Sequence, residues 1–422
     1  MSVPLSEQGY ATAGGSAWWA ELDDEPTPEL VWPLSITVYD RMRRQDSQVK
    51  SVLNAVMLPI RRTPWRVDPA GASDEVTKLV AEDLGLPIIG EDPGVLPRTR
   101  DRFSWLEHLR LALLYLVFGH SVFEQVYRVD PQGRARLRKL GYRPPKTIAA
   151  FKVADDGGLV SVQQHALTDR APQVIPVDRL VVYANEREGG NWLGQSLLRS
   201  AYKNWLLKDR LLRVQAQTIE RNGMGIPVYE GAEDEADLST GLSIAKSVRA
   251  GDNSGSATPF GARLRLMGVE GTLPDAEPAV RYHDEQIARG VLAHFLNLGT
   301  ATGSWALGST FADFFTSSLN AVADDVASVA TQHIVEDLVD VNFGADEPAP
   351  RIVPDEIGTK QIATAQALKL LFDAGILRPD RTLEEAVRQA YDLPPKATPL
   401  PPQAATQPPP MPQQMPNGGP PQ

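Results

Sequence analysis

NWLGQSLLRSAYKNWLLKDRLLRVQAQTIERNGMGIPVYE, residues 191 to 230, decides how the rest of the chain is read. Set out at about 100° per residue, as a helix of 3.6 residues per turn requires, Leu198, Tyr202, Trp205, Leu212, Ala216 and Ile219 fall on one stripe. Leu207, Leu211 and Val214 gather on a second, nearly opposite one, while Arg199, Lys203, Arg210, Gln217 and Arg221 line a third face. A helix with two apolar flanks needs neighbours on both. From Gly194 to Asn222 it would run roughly 43 Å at about 1.5 Å per residue, well beyond the mean helix of globular proteins. Asn222 and Gly223 supply a left-handed stop, after which residues 224 to 230 resume as an extended piece. Periodicity alone also allows an ordinary domain with one long central helix.

On the N-terminal side, residues 1 to 33 are rich in Gly, Ser, Pro and acids and read as an arm with little structure of its own. Trp18 and Trp19 stand out in it. Two adjacent indoles are costly to leave in water, so they are expected to dock on the body of the protein or on a neighbour. Apolar residues recur at helical spacing from 36 to 58 (Val38, Met42, Val49, Val52, Val56) up to Pro59, and Trp65 to Val67 reads as a strand. A second helix is expected over 105 to 118, ending at Gly119. Short β-type runs follow at 122–129, 147–153, 159–164 and 179–183, separated by turns rich in Pro, Asp and Gly. This is an α+β region.

On the C-terminal side, residues 223 to 275 hold a strand, a helix near 237–250, a Gly/Ser loop at 251–258 and a strand at 262–267. Glu233, Asp234, Glu235 and Asp237 lack the spacing of a calcium loop and suit the start of the following helix. A helix over 284–298, with Ile287, Val291, His294, Phe295 and Leu298 on one face, would return antiparallel to the first. GTATGSWALGS, residues 299 to 309, carries glycines at 299, 303 and 308 that argue against a continuous helix. From Ser309 a third long helix repeats Phe315, Leu319, Val322, Val326, Val329, Ile334 and Leu338 at intervals of three and four. Residues 360 to 391 form one or two amphipathic helices, and the tail from 394 to 422, with 12 prolines, cannot pack a core.

The ordered set Gly194, Gln195, Ser196, Leu197, Leu198, Ala201, Tyr202, Trp205, Lys208, Ile219, Glu220, Arg221, Gly223 and Gly225-Ile226-Pro227 resembles the portal proteins of tailed bacteriophages. VYDRMRRQDSQVKSVLNAVMLPIRRTPWRVDP at 38–69, FGHSVFEQVYRV at 118–129 and DRLVVYANEREGGNWLGQS at 178–196 extend the likeness over most of residues 35 to 340. The resemblance implies an α+β, portal-like fold: a long α-helical stem hairpin, a mixed α/β wing, a small α/β clip and a helical crown. The implied parts are a flexible arm (1–33), wing (34–193), stem helix (194–222), clip (223–275), second stem helix (280–298), tunnel loop (299–309), second wing part (310–354), crown (355–393) and disordered tail (394–422).

That family forms a ring, usually of twelve copies, at one capsid vertex, through which DNA is packaged and ejected. It implies as partners the chain itself, the terminase large subunit, the head-tail adaptor, major capsid and scaffolding proteins, and double-stranded DNA. No membrane is implied, and assembly would take place in the host cytoplasm. A tunnel loop facing DNA would use Gly299, Thr300, Thr302, Gly303, Ser304, Trp305 and Gly308; a plain helix connection is the alternative. Intersubunit stem contacts would fall to Arg199, Lys203, Leu207, Arg210, Leu211, Val214 and Arg221. Partner binding by the clip would fall to Glu233, Asp234, Glu235, Arg263 and Arg265.

Composition narrows the chemistry. A net charge of -11 argues against tight whole-surface binding of nucleic acid but suits a channel that must not hold phosphates. The absence of cysteine rules out disulfides and thiolate chemistry and fits a reducing compartment. No apolar run reaches membrane-spanning length, and the first residues do not form a secretory signal. There is no phosphate loop, nucleophile elbow or zinc helix. The six histidines are scattered, and His120 and Glu124 sit in strand-like sequence. No catalytic residue, metal or cofactor is expected. Arg41, Arg43, Arg44, Arg61 and Arg62 form a basic patch, read as a solvated face or an intersubunit surface. Two alternatives remain: another virion structural component, or a metal- or nucleotide-dependent DNA enzyme.

Overall fold

A computed structural model describes residues 25–91, 102–166, 171–248, 255–267, 275–291, 305–358 and 384; for 221–224 and 305–312 only the backbone path is described. After a short turn at Pro28–Leu30 come α1 (Leu34–Gln45) and α2 (Ser47–Arg62). The apolar rhythm over 36–58 had implied one helix. Asp46 divides it: its backbone is extended and its carboxylate accepts the Val49 N–H at 3.0 Å, capping a new helix. Pro59, the expected stop, is absorbed within α2 at the loss of one helical hydrogen bond. The arm's end also differs from expectation, because Leu30 is buried against the body.

β1 (Trp65–Asp68) leads to α3 (Asp74–Leu84), a helix the apolar pattern did not pick out although Ser73 caps it and Gly85, at φ +66°, closes it. The helix expected over 105–118 is two, α4 (Trp105–Ala112) and α5 (Tyr115–Phe118). Six strands follow: β2 (His120–Val129), β3 (Ala135–Arg143), β4 (Ile148–Val153), β5 (Leu159–Gln164), β6 (Gln173–Pro176) and β7 (Leu180–Ala184). β3 and β6 went unread in the sequence, β3 because charges interrupt its alternation and β6 because it is a mostly exposed edge. The two antiparallel sheets are ordered β3-β2-β7 and β4-β5-β6. Period-two alternation divides the first sheet between two cores. Phe123, Val181 and Tyr183 enter the main core, whereas Val122, Leu180 and Val182 join Ile148, Val162 and Ile175 in a smaller one.

Next come α6 (Tyr202–Met224), β8 (Ile226–Glu230), α7 (Ser239–Ser247), β9 (Arg263–Met267) and α8 (Glu277–Gly290). α9 (Trp305–Ala330) passes through one π turn at Thr331–Val335 into α10 (Glu336–Phe343), and β10 (Arg351–Pro354) pairs antiparallel with β1. Three expected boundaries move. α6 begins at Tyr202 rather than 194, because residues 194–201 close three-residue turns such as Ala201 N–H to Leu198 O at 3.1 Å. α8 occupies 277–290 rather than 284–298, with Val291 already out of helical geometry and 292–298 outside the described residues. Residues 305–309, read as loop, belong to α9; a glycine such as Gly308 costs a helix only about 1 kcal/mol and does not forbid it. Residues 299–304, the crown and the tail lie outside the described set, apart from residues 355–358 and Glu384. The helices and strands named above all belong to one compact unit, which ends at Ile357.

Candidate assembly site on the long helix pair

α6 is launched from a tight crossing of two glycines. Gly119 (φ +87°) ends α5, and Gly194 (φ +62°) lies in the turn before α6. A Cβ on Gly194 would sit 2.3 Å from the Gly119 carbonyl oxygen, and one on Gly119 would sit 2.5 Å from that of Leu193. Both positive φ and this close approach require glycine. Around the crossing, Gly119 O accepts from Asn185 N–H and Asn185 O accepts from Gln195 N–H, each at 2.8 Å. Leu197 N–H donates to Leu116 O at 2.9 Å, and His120 Nδ1 lies 3.0 Å from Leu193 O. The segment before α6 is thereby fastened to the main core.

The lower part of the helix pair is locked by polar contacts. Lys208, 5% exposed, places Nζ 3.0 Å from Asp46 Oδ2 and 2.6 Å from Asp284 Oδ1. Burial disfavours its charged form, but the two carboxylates outweigh that and hold the ammonium above its ordinary range. Ser200 Oγ donates to Gly290 O at 3.0 Å, and His283 Nδ1 lies 3.0 Å from Asn204 Oδ1. Gly290 permits this approach, since a Cβ there would meet Ser200 Oγ at 2.7 Å. Tyr202 and Trp205 are buried here as their stripe predicted.

From Leu207 onward the two apolar stripes lose their cover. Leu207 is 39% exposed, Val214 50% and Ile219 62%; Leu212 and Ala216 are exposed as well, and Leu211 is half-buried. Among the basic residues, Arg199 pairs with Glu25 of its own chain through two contacts of 2.6 and 2.7 Å. The Glu25 carboxyl is raised by burial, yet Arg199 and the Thr27 N–H hold it below its ordinary value. Lys203 and Arg210 are exposed and carry no ion pair among the described residues, while the side chain of Arg221 lies outside that set. The basic patch of α1 is likewise partly satisfied within the chain, with Arg43 and Arg44 on Asp40.

At the far end of the pair, β8 and β9 form an antiparallel ribbon with Glu230 opposite Arg263. α7 packs on it, Gly241 lying so close to the Tyr229 ring that a Cβ would stand 2.0 Å from it. Glu235 accepts from Tyr229 Oη and from Ala232 N–H, and Arg265 pairs with Glu230 at 3.4 Å, so these two are engaged internally. Asp237 accepts from the Ser239 N–H at 2.9 Å, which lowers its carboxyl and matches the expectation of a carboxylate at a helix start. Glu233, Asp234 and Arg263 are exposed, alongside Leu238, Leu242, Phe260 and Leu266. Of the residues proposed to face DNA, Gly299, Thr300, Thr302, Gly303 and Ser304 lie outside the described residues, and Trp305 and Gly308 are placed only on the path of α9.

Two histidines are packed in the interior of the described region. His108, 3% exposed, contacts Tyr183 Oη at 2.8 Å and is pushed down to about 3 by burial; His120 is pushed down to about 4. Among the described residues no cluster of His, Asp and Glu converges as a metal site, and no helix is long and apolar enough to cross a membrane. Two ion pairs escaped the sequence: that of Glu25, hidden in an arm-like segment, and that of Lys208, whose burial shows only once Asp46 and Asp284 flank it.

A family model described as the portal protein of Mu bacteriophage matches residues 36–393. Among solved structures, a chain in the neck of an empty GTA particle computed with C6 symmetry is similar at TM-score 0.54 and 12% identity, covering 85% of this chain and 94% of that one. Chains from the neck of a native GTA particle computed with C12 symmetry (TM-score 0.53) and from the virion of a native gene transfer agent particle (TM-score 0.52) are similar at 12% identity, each covering 86% of this chain and 95% of its own. At that identity the likeness establishes a shared fold. With the family match spanning most of the sequence, the chain belongs to the portal-protein family of tailed bacteriophages, in the group of the Mu portal protein.

Proposed function

We propose that copies of this chain close into a ring, twelve in number, at one vertex of a phage capsid, and that double-stranded DNA is packaged and ejected through its centre. α6 and α8 would be the stem. Residues 34–193 and 310–354 would be the wing, 223–275 the clip, and 355–393 the crown. The tunnel loop would be 299–309, of which 305–309 lie in α9. The observation that carries this reading is the half-covered long helix: its base is fixed by Lys208, yet Leu207 next to it and Val214 further along stay open to solvent. A lone protomer leaves that apolar flank wet, whereas a neighbour's helix pair would cover it. The C12 symmetry of one structural neighbour supports the copy number.

On this reading the chain provides a passage rather than a reaction, and a separate nucleotide-hydrolysing motor drives packaging. The clip's exposed Glu233, Asp234 and Arg263, with Leu238 and Leu242, would meet the terminase large subunit and later the head-tail adaptor, while the wing would meet capsid and scaffolding proteins. An acidic chain limits retention of phosphates during passage. Native mass spectrometry and negative-stain imaging test the ring directly. A closed particle of twelve times 46.1 kDa is expected; compact monomers at high protein concentration would sink the proposal. Metal-dependent cleavage of DNA or nucleotide hydrolysis by the purified chain would favour the enzyme alternative instead.

A further inference from the structure

A cleft between α1, α2 and α5 plays no part in the helix pair. It holds about 350 Å³, with Leu53, Met57 and Val117 on its floor and Arg43, Arg44 and Lys50 at its rim. Arg43 and Arg44 each place Nε 2.9 Å from Asp40 Oδ1, and Lys146 reaches Asp40 Oδ2 at 2.9 Å. Burial pushes the Asp40 carboxyl up, but these cations prevail and hold it at about 2. Three positive charges on one carboxylate leave an excess of two, and Lys50 adds a third with no ion pair among the described residues. An apolar floor of this size takes an aromatic ring, and a cationic rim takes carboxylates beside it.

Such a ligand, aromatic and then acidic over a short peptide, is written in this chain. Trp18-Trp19-Ala20-Glu21-Leu22-Asp23-Asp24 stands directly ahead of Glu25, where the described residues begin. Glu25 is pinned on Arg199, and Tyr39, one helical turn before Arg43 on α1, lies in the field of both. Six residues of extended chain span up to about 20 Å, and one helical turn advances only about 5.4 Å. The tether is thus about four times as long as that one-turn offset.

We propose that residues 18–24 dock in this cleft of their own chain, an indole on the floor and the acids against the rim, latching the N-terminal arm to the body. The latch is independent of the portal function proposed above, because it needs one protomer only. The lack of native cysteine makes the test clean: Ala20→Cys with Asn54→Cys, an exposed position on the cleft wall, introduces the only two thiols. Under mild oxidation they should join within one chain, read as a linked peptide pair from the monomer band. The rate should exceed by at least about fivefold that of a control pairing Ala20→Cys with Lys78→Cys on α3, since docking raises the effective thiol concentration. Adding Lys50→Glu should slow the linkage about threefold, and Asp23→Lys with Asp24→Lys should restore it. A rate equal to the control, linkage solely between chains, or indifference to Lys50→Glu would each overturn the latch.

Discussion

Lys208 shows how a single side chain can set where a helix pair becomes rigid. Its ammonium joins α6 to α8 through Asp284 and to the start of α2 through Asp46, which also caps α2. Lys208→Met leaves two carboxylates without their cation, a loss of about 3 kcal/mol. Denaturant unfolding should show a lower midpoint with unchanged slope, and a change within about 0.5 kcal/mol would remove Lys208 from this role. Because its folded value lies above the unfolded one, the stabilisation is complete below the ordinary lysine range and fades only as alkaline pH passes the raised folded value. His108 acts at the opposite end of the scale. Held down to about 3 in the fold, it takes up a proton below about pH 6.5 only when unfolded, so stability declines by about 1.4 kcal/mol per pH unit on the acid side. Between pH 6 and 5 the His108→Phe variant should lose stability less steeply than the parent by about 1 kcal/mol; parallel slopes would refute this. Neither role was legible beforehand. The sequence displays a lysine and a histidine, while burial and partners arise from residues up to 162 positions away.

At the scale of elements, periodicity located the apolar faces better than it located helix ends. The rhythm of Val49, Val52 and Val56 survives as the buried face of α2, yet the division at Asp46 was invisible because a side-chain cap leaves the apolar spacing intact. Gly194 was read as the head of a helix, whereas its positive φ and contact with Gly119 make it the hinge of the turn before one. Those are tertiary facts. The two-flank pattern of α6 fared differently along its length: Trp205 found cover within the chain, and Leu207 and Val214 did not. Leu207→Glu with Val214→Glu separates the proposed stem contact from folding. At exposed positions the pair should change protomer stability by no more than about 1 kcal/mol, while two charges per copy set into an apolar ring contact should leave monomers in native mass spectra. If the doubly substituted chain still forms a ring of unaltered mass, the lateral contact lies elsewhere.

For the whole molecule, the main core and the distal ribbon differ in how they are held. The main core gathers side chains from α1 to α5, β2, β3, β7, the base of α6, α8, α9 and α10. Among the described residues, the ribbon of β8 and β9 with α7 shares no buried side chain with this core and is held by Tyr229, Glu235 and Gly241 within itself. Glu230 and Arg263 face each other across that ribbon, so residues 231–262 can be replaced by Asn-Gly, the two-residue turn that closes an antiparallel pair. Removal of a locally packed excursion between paired positions should leave the core's unfolding free energy unchanged to within about 1 kcal/mol. On the proposed function the shortened chain still closes into a ring by electron microscopy, because the exposed flank of α6 is intact, but no longer retains the terminase large subunit on an affinity column. Loss of the ring would transfer the assembly contact to the ribbon. Retention of the motor protein would place its docking surface on the wing or crown, and Glu233, Asp234 and the exposed leucines of α7 would then have no part in it.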